Sequence, residues 1–196
     1  MKRFRKVLIV LLAILVPVSI GFGFNFFSGE SSDSAENQAM TVAGTLTINQ
    51  ISEAQNLVPG DKICKGVTMN ITSSAVSLLR VKVDIYCADS ETAETDIAPI
   101  KNAGDNWLKG SDGYYYYTQG VKNGDIVKLA EEGIYFNGLN DNVDMNKYQG
   151  KKIKVVANAE LVQAKHGVFA EKWGLSENKD GDIYTKLKKI SNDQGQ

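Results

Sequence analysis

The sequence predicts a mainly β protein, an antiparallel β-sandwich carried behind an N-terminal hydrophobic helix. Three observations predict it. Leu79-Arg-Val-Lys-Val-Asp-Ile-Tyr86 alternates apolar and polar residues, as a half-buried antiparallel strand does. Turn chemistry separates several such runs, at Val58-Pro-Gly-Asp61 and again at Lys122-Asn-Gly-Asp125. Ahead of them, Val7 to Phe27 carries no charge and follows the basic cap Met1-Lys-Arg-Phe-Arg-Lys6.

The leader comes first. A helix over Val7 to Phe27 would extend roughly 30 Å, about the thickness of a bilayer's hydrocarbon core. Basic residues before an apolar run hold the N-terminus in the cytoplasm, so the rest of the chain is expected outside it. Residues 1–27 read as a cleaved signal peptide or as an N-terminal membrane anchor. Ser19-Ile-Gly21 and Gly21-Phe-Gly23 are acceptable cleavage sites, whereas Phe22, Phe24, Phe26 and Phe27 extend the apolar run past them in the manner of an interfacial anchor. Residues 28–40 are polar, small and acidic, a flexible linker. Residues 41–175 form the expected β domain, long enough to bury a core without staples. Residues 176–196 are a polar tail in which Ile183, Tyr184, Leu187 and Ile190 have helical spacing, the mark of a short amphipathic helix.

Within the domain, Thr41-Val-Ala-Gly-Thr-Leu-Thr-Ile48 is rich in β-branched residues. Lys62 to Thr72 reads as the next strand, around Val67, Met69 and Ile71, and Leu79 to Tyr86 follows. Ala88 to Asp105 is a short helix or a loop. Trp107 to Gly113 is a strand end and tight turn, and Tyr114 to Thr118 is a strand by propensity. Ile126 to Leu129 and Gly133 to Phe136 are short. Lys151 to Gln163 is the clearest late strand, and Gln163 to Leu175 is a helical turn or loop ending at Trp173-Gly174.

Charge narrows the function classes. The chain has 22 Lys+Arg and 23 Asp+Glu, a net charge of −1, and part of the positive charge precedes the apolar run. The exported part is therefore more acidic than the total, with no clustered basic face for nucleic acid. Cys64 and Cys87 are the two cysteines. In an exported chain they form a disulfide or remain two partly buried thiols. Parity places Cys87 inward with Val81, Val83 and Ile85 and Cys64 outward, unless a one-residue bulge near Cys64 restores it.

No catalytic set assembles. The single His166 lacks the paired histidines of a zinc hydrolase, and its spacing from the cysteines matches no zinc site. No Gly-x-Ser-x-Gly elbow occurs. Asn140-Asp-Asn-Val-Asp144 and Asn178-Lys-Asp-Gly-Asp182 offer the hard oxygens calcium takes but lack the full EF-hand pattern, and turn formation is the commoner role of such residues. No cofactor is expected, with calcium left open. Tyr114-Tyr-Tyr-Tyr117 has the composition of a sugar-stacking surface. On a strand, though, alternate tyrosines face opposite sides, two into the core and two to the surface.

Three motifs, in order, resemble one family. Asn56-Leu-Val-Pro59-Gly60-Asp61-Lys62 before an alternating strand resembles the opening of the TasA/camelysin-like exported proteins of Gram-positive bacteria. Trp107-Leu-Lys-Gly110-Ser-Asp112-Gly113-Tyr114-Tyr-Tyr116-Tyr is similar to their Trp–Gly–Asp–Gly–Tyr hairpin. Ile153 to Ala164, then Trp173 and Gly174, is similar to their closing strand and terminal Trp-Gly. The resemblance implies a jelly-roll-like sandwich and a biofilm-matrix or surface-fibre protein whose partners are copies of itself or related subunits. It also implies assembly by an N-terminal donor strand, which here is Thr41 to Ile51 with Thr41, Val42, Leu46 and Ile48 as its apolar and β-branched positions. The family's small-residue cleavage region leading into an Ala-Tyr-Phe-type stretch is missing from this chain. Camelysin is classed as a metallopeptidase, but no matched position supplies a metal triad. The expected function is thus an exported structural protein acting through protein–protein contact. A metal-dependent peptidase and a surface glycan-binding module are its alternatives.

Overall fold

The computed structural model describes residues 45–48, 51–54, 56–87, 90–136, 148 and 150–194. The leader of residues 1–27, the linker of residues 28–40, Thr41 and Val42, and the Asn140 to Asp144 cluster lie outside them. The protein is mainly β, and every strand pairing is antiparallel. Among the described residues ten strands form: β1 (Thr45–Ile48), β2 (Ile51–Ala54), β3 (Lys62–Cys64), β4 (Val67–Thr72), β5 (Ser77–Cys87), β6 (Trp107–Lys109), β7 (Tyr114–Tyr117), β8 (Ile126–Leu129), β9 (Ile134–Tyr135) and β10 (Ile153–Gln163). Two helices follow, α1 (Val168–Trp173) and α2 (Glu177–Asp193). A 3₁₀ turn at Thr95–Ile97 marks the irregular stretch after β5.

The strands form a three-stranded sheet ordered β1-β4-β8, a five-stranded sheet ordered β2-β10-β5-β7-β6, and a small β3-β9 pair. The alternation read in β5 decides how they stack. Its odd residues Leu79, Val81, Val83, Ile85 and Cys87 are buried in one core with Val67, Met69 and Ile71 of β4 and Val127 and Leu129 of β8. Both larger sheets thus share one apolar interior, as period-2 patterning requires of strands with a single dry face.

The expected strand from Lys62 to Thr72 is two strands in different sheets. The break falls at Gly66, where φ is +92° and a Cβ would lie 2.1 Å from the Ala130 carbonyl oxygen. Only glycine admits that approach. The β3–β9 register also shifts between Lys62 and Cys64, the irregularity that would turn Cys64 inward. Cys64 is therefore buried in the same core as Cys87, and both are thiols, not a disulfide. Burial raises the pKa of Cys64, so the reactive thiolate is disfavoured there.

The even residues of β5 face a second apolar layer. Leu78 and Tyr116 are buried there with Phe169 and Trp173 of α1 and Ile183 and Leu187 of α2. This corrects one expectation, that two tyrosines of β7 face the surface. The segment from Glu177 to Asp193 is a helix of 17 residues with a break at Gly181, packed on the five-stranded sheet and continuous with the domain. The even-numbered tyrosines of β7 accordingly lie under helices instead of on the surface: Tyr115 and Tyr116 are buried, and Tyr114 and Tyr117 half-buried.

Local chemistry closes the helices. Trp173 is the last residue of α1. Gly174 caps α1 in the left-handed region (φ 64°), and the Leu175 N–H donates to the Ala170 carbonyl at 2.9 Å. The Asp180 carboxylate accepts the Ser176 N–H at 2.9 Å, tying down the start of α2. At the far end the Gly167 N–H donates to Ser191 Oγ at 2.8 Å. Among the described residues no helix is long and apolar enough to cross a membrane.

Leu187 is fully buried between α2 and the sheet. Leu187→Ala is expected to cost about 2–5 kcal/mol, the range for opening a cavity at such a site, in urea unfolding followed by far-UV circular dichroism. A loss within about 0.5 kcal/mol, ordinary for a surface change, would show that α2 adds nothing to the domain.

Candidate functional site

Polar and backbone groups from several elements converge at two places, a charged cluster beneath α1 and the flanks of the two larger sheets. In the cluster, strand register delivers the side chains. Glu160 of β10 stands opposite Arg80 of β5, and Arg80 stands opposite Tyr116 of β7. The three form one row across adjacent strands, on the face turned toward the helices.

Arg80 is nearly enclosed, its side chain 11% exposed. Its Nε and Nη2 both donate to Glu160 Oε2, at 3.0 and 2.8 Å. Its Nη1 donates to the Tyr116 hydroxyl at 3.3 Å, and that hydroxyl donates to Asp112 Oδ2 at 2.6 Å. The Tyr114 hydroxyl donates to Glu160 Oε1 at 3.0 Å. The guanidinium lies 3.9 Å from the Tyr114 ring centre and 5.0 Å from that of Trp173, each a cation–π contact. The Tyr116 ring meets Trp173 edge-on at 5.8 Å.

The electrostatics of the cluster favour holding over chemistry. Burial works against the Arg80 charge, but the hydrogen bonds to Tyr116 and Glu160 outweigh it and raise the arginine pKa. Burial, then the hydrogen bond to Asp112, pushes the Tyr116 hydroxyl well above its ordinary value. Burial and the bond to Glu160 raise Tyr114 as well. Tyrosines held protonated are poor bases and poor nucleophiles. The named donors and acceptors are aimed at one another, so the cluster joins three strands to α1 through Trp173.

On one flank, β1 and β2 are end strands of different sheets. Thr45 to Ile48 pairs with Thr72 to Met69, and Ile51 to Ala54 pairs with Val156 to Ile153. One short segment therefore closes both sheets on that side. On the opposite flank, β6 and β8 are the end strands. Here the Trp107 indole N–H crosses between sheets and donates to the Lys128 carbonyl at 2.8 Å. The Ala130 N–H donates to the Ala103 carbonyl at 3.3 Å beside it.

The residues singled out in the sequence divide between these places. Pro59, Gly60 and Asp61 form the expected turn, in which Asp61 Oδ2 accepts the Val58 N–H at 2.8 Å. The Gly60 N–H also donates to the Phe136 carbonyl at 2.9 Å. Gly110, Asp112 and Gly113 make the hairpin turn between β6 and β7, and Asp112 joins the charged cluster with Tyr114, Tyr116 and Trp173. Gly174 is a helix cap. Leu46 and Ile48 lie in β1. Cys64 and Cys87 belong to the shared core, and His166 is exposed in the 3₁₀ turn before α1, with φ of 65°. Asp180, from the second suggested calcium sequence, serves the start of α2. Among the described residues no three His, Cys, Asp or Glu side chains gather where they could hold a metal ion.

Arg80, Glu160 and Lys128 were not singled out by sequence reasoning. A lone arginine in an alternating strand was visible, but its partners lie 36 and 80 positions away. Comparison of the chain with protein-family models, with characterised proteins and with solved structures gives no match.

Tyr116 gives a test in the alkaline range. The folded chain keeps its proton where the unfolded chain, with a tyrosine pKa of about 10, has lost it. The resulting stability is complete below about pH 10 and is lost as pH rises toward the folded value. Urea midpoints measured upward from about pH 9 should therefore fall more steeply for the wild type than for Tyr116→Phe; parallel curves would exclude Tyr116 as a source of the loss.

Proposed function

We propose that this chain is an exported cell-surface or extracellular-matrix protein that works by protein–protein assembly. In this reading the body is a jelly-roll-like β-sandwich of the TasA/camelysin type, carried behind an N-terminal hydrophobic helix. Its partners are copies of itself or related matrix subunits, and no cofactor takes part. An uncleaved leader would add the membrane as a tether.

The placing of residues 45–54 carries the proposal. These residues supply the end strand of both larger sheets at once. Their strand pairing is made through backbone groups, so the same segment from a neighbouring copy would satisfy the same β4 and β10 edges. The segment follows directly on the polar linker of residues 28–40. Such a linker lets the strands leave their own body and reach another.

Two observations favour assembly over the rival functions. The tyrosine run is covered on both faces, which leaves little open aromatic surface for a sugar ring. The one cluster of ionisable side chains described above spends its groups on one another.

The test uses protein lacking residues 1–27, with and without residues 41–54, viewed by electron microscopy and sized by light scattering. Oligomers or fibres are expected from the longer form. Monomers that bind a synthetic peptide of residues 41–54 are expected from the shorter one. Monomers from both forms with no peptide binding would end the proposal.

A further inference from the structure

The N-terminal flank is closed by two short strands that serve different sheets. β1 pairs with β4 and β2 with β10, over four residues each. Ile48 stands opposite Met69 in the three-stranded sheet, and Ile51 opposite Val156 in the five-stranded sheet. Only residues 49 and 50 separate the two strands. The three peptide steps from residue 48 to residue 51 reach at most about 10–11 Å. Packed sheets stand about 10 Å apart. Two residues are thus just enough to pass from one sheet to the other.

Neither strand is well held by itself. Each lies at the end of its sheet and is paired on one side only. A ladder of four residue pairs makes few hydrogen bonds, and each contributes little net stability. The short connection changes this. Once either half is paired, the other is held beside its own edge, so the second pairing is intramolecular and its effective concentration is high. The receiving strands keep the two edges at a fixed spacing. Val67, Met69 and Ile71 of β4 and Ile153 and Val155 of β10 are buried in the same core.

We propose that residues 45–54 act as a single clasp across both sheets, and that the flank beneath it is a binding site for a strand of the same two-part form from a second copy of this chain. Such a ligand has four residues for one sheet, a two-residue crossing and four residues for the other. A strand that pairs with one sheet alone is held weakly. The chain's own segment, seated on both edges, defines the occupant. The clasp holds whether or not copies exchange strands. The binding site rests on the assembly reading above and adds the feature by which the partner is recognised.

Hydrogen exchange on the full-length chain in mild detergent tests the clasp. Ser52→Pro combined with Glu53→Pro removes at least one ladder N–H of β2, because donors alternate along the strand. In that variant Thr45–Ile48 should lose protection together with Ile51–Ala54, while the β5–β10 amides keep theirs. A six-residue Gly-Ser insertion between Asn49 and Gln50 changes no paired residue and should lower the protection of both strands about tenfold. A β1 that stays protected in the proline variant, or an insertion without effect, would overturn the clasp. The insertion decides the matter alone if the prolines prevent folding. The proline variant, or in that case the insertion chain, then receives synthetic peptides. The peptide of residues 41–54 should bind at least about tenfold more tightly than the same peptide lacking residues 49 and 50, which keeps both strands but cannot span the sheets. Equal binding would overturn the two-part site and leave the assembly reading standing. No binding by either peptide would end both.

Discussion

Eleven consecutive residue pairs, from Cys87 opposite Ile153 to Ser77 opposite Gln163, bind β5 to β10, and the rest of the molecule is arranged around this ladder. The two strands are the centre of the five-stranded sheet, and both of their faces are covered along much of their length. Odd residues of β5 reach the core shared with the three-stranded sheet. Even residues reach the helices and the charged cluster. A register slip of one residue would exchange these two sets, sending Arg80 into the apolar interior and Val81 beneath α1. The length of the ladder and the opposed chemistry of its two faces therefore protect the same register.

The charged cluster depends on that register. Glu160, Arg80 and Tyr116 form a row only because three strands hold them level. Burying a guanidinium costs several kcal/mol unless its hydrogen-bond and charge partners are supplied. Here Glu160 and Tyr116 accept its hydrogen bonds while Tyr114 and Trp173 cover its faces. The cluster fixes where α1 lies, and α1 with α2 buries the face of β7 that would otherwise expose tyrosine. The helical layer and the polar row are in this sense one structure. The two flanks differ: β1 pairs with β4 and β2 with β10, whereas the Trp107 indole joins β6 to β8.

Much of the β architecture was legible. Leu79 to Tyr86 and Lys151 to Gln163 alternate strongly enough to announce β5 and β10, and Pro59-Gly60 and Asn123-Gly124 announce their turns. Parity left Cys64 outward unless a bulge intervened, and the register shift between Lys62 and Cys64 supplies one. The split of residues 62–72 into two strands was hidden, because Gly66 reveals its close approach only once Ala130 is in place. The helical spacing of the tail was visible at Ile183, Tyr184, Leu187 and Ile190, but the sheet it packs on was not. Of the cluster, Asp112, Tyr114, Tyr116 and Trp173 drew attention as a motif. Arg80 and Glu160 did not, because nothing local distinguishes them from other charges on half-buried strands.

The sequence by itself determined the strand-rich class, the main turns and the inward parity of β5. These follow from periodicity and backbone preference, which act over a few neighbouring residues. The tertiary structure alone decided that the polar tail belongs to the domain and that the tyrosine run is covered on both faces. It alone placed Arg80 between two rings and Trp107 across two sheets. Each of these rests on contacts between residues far apart in the chain, whose chemistry appears only when strand register brings them level.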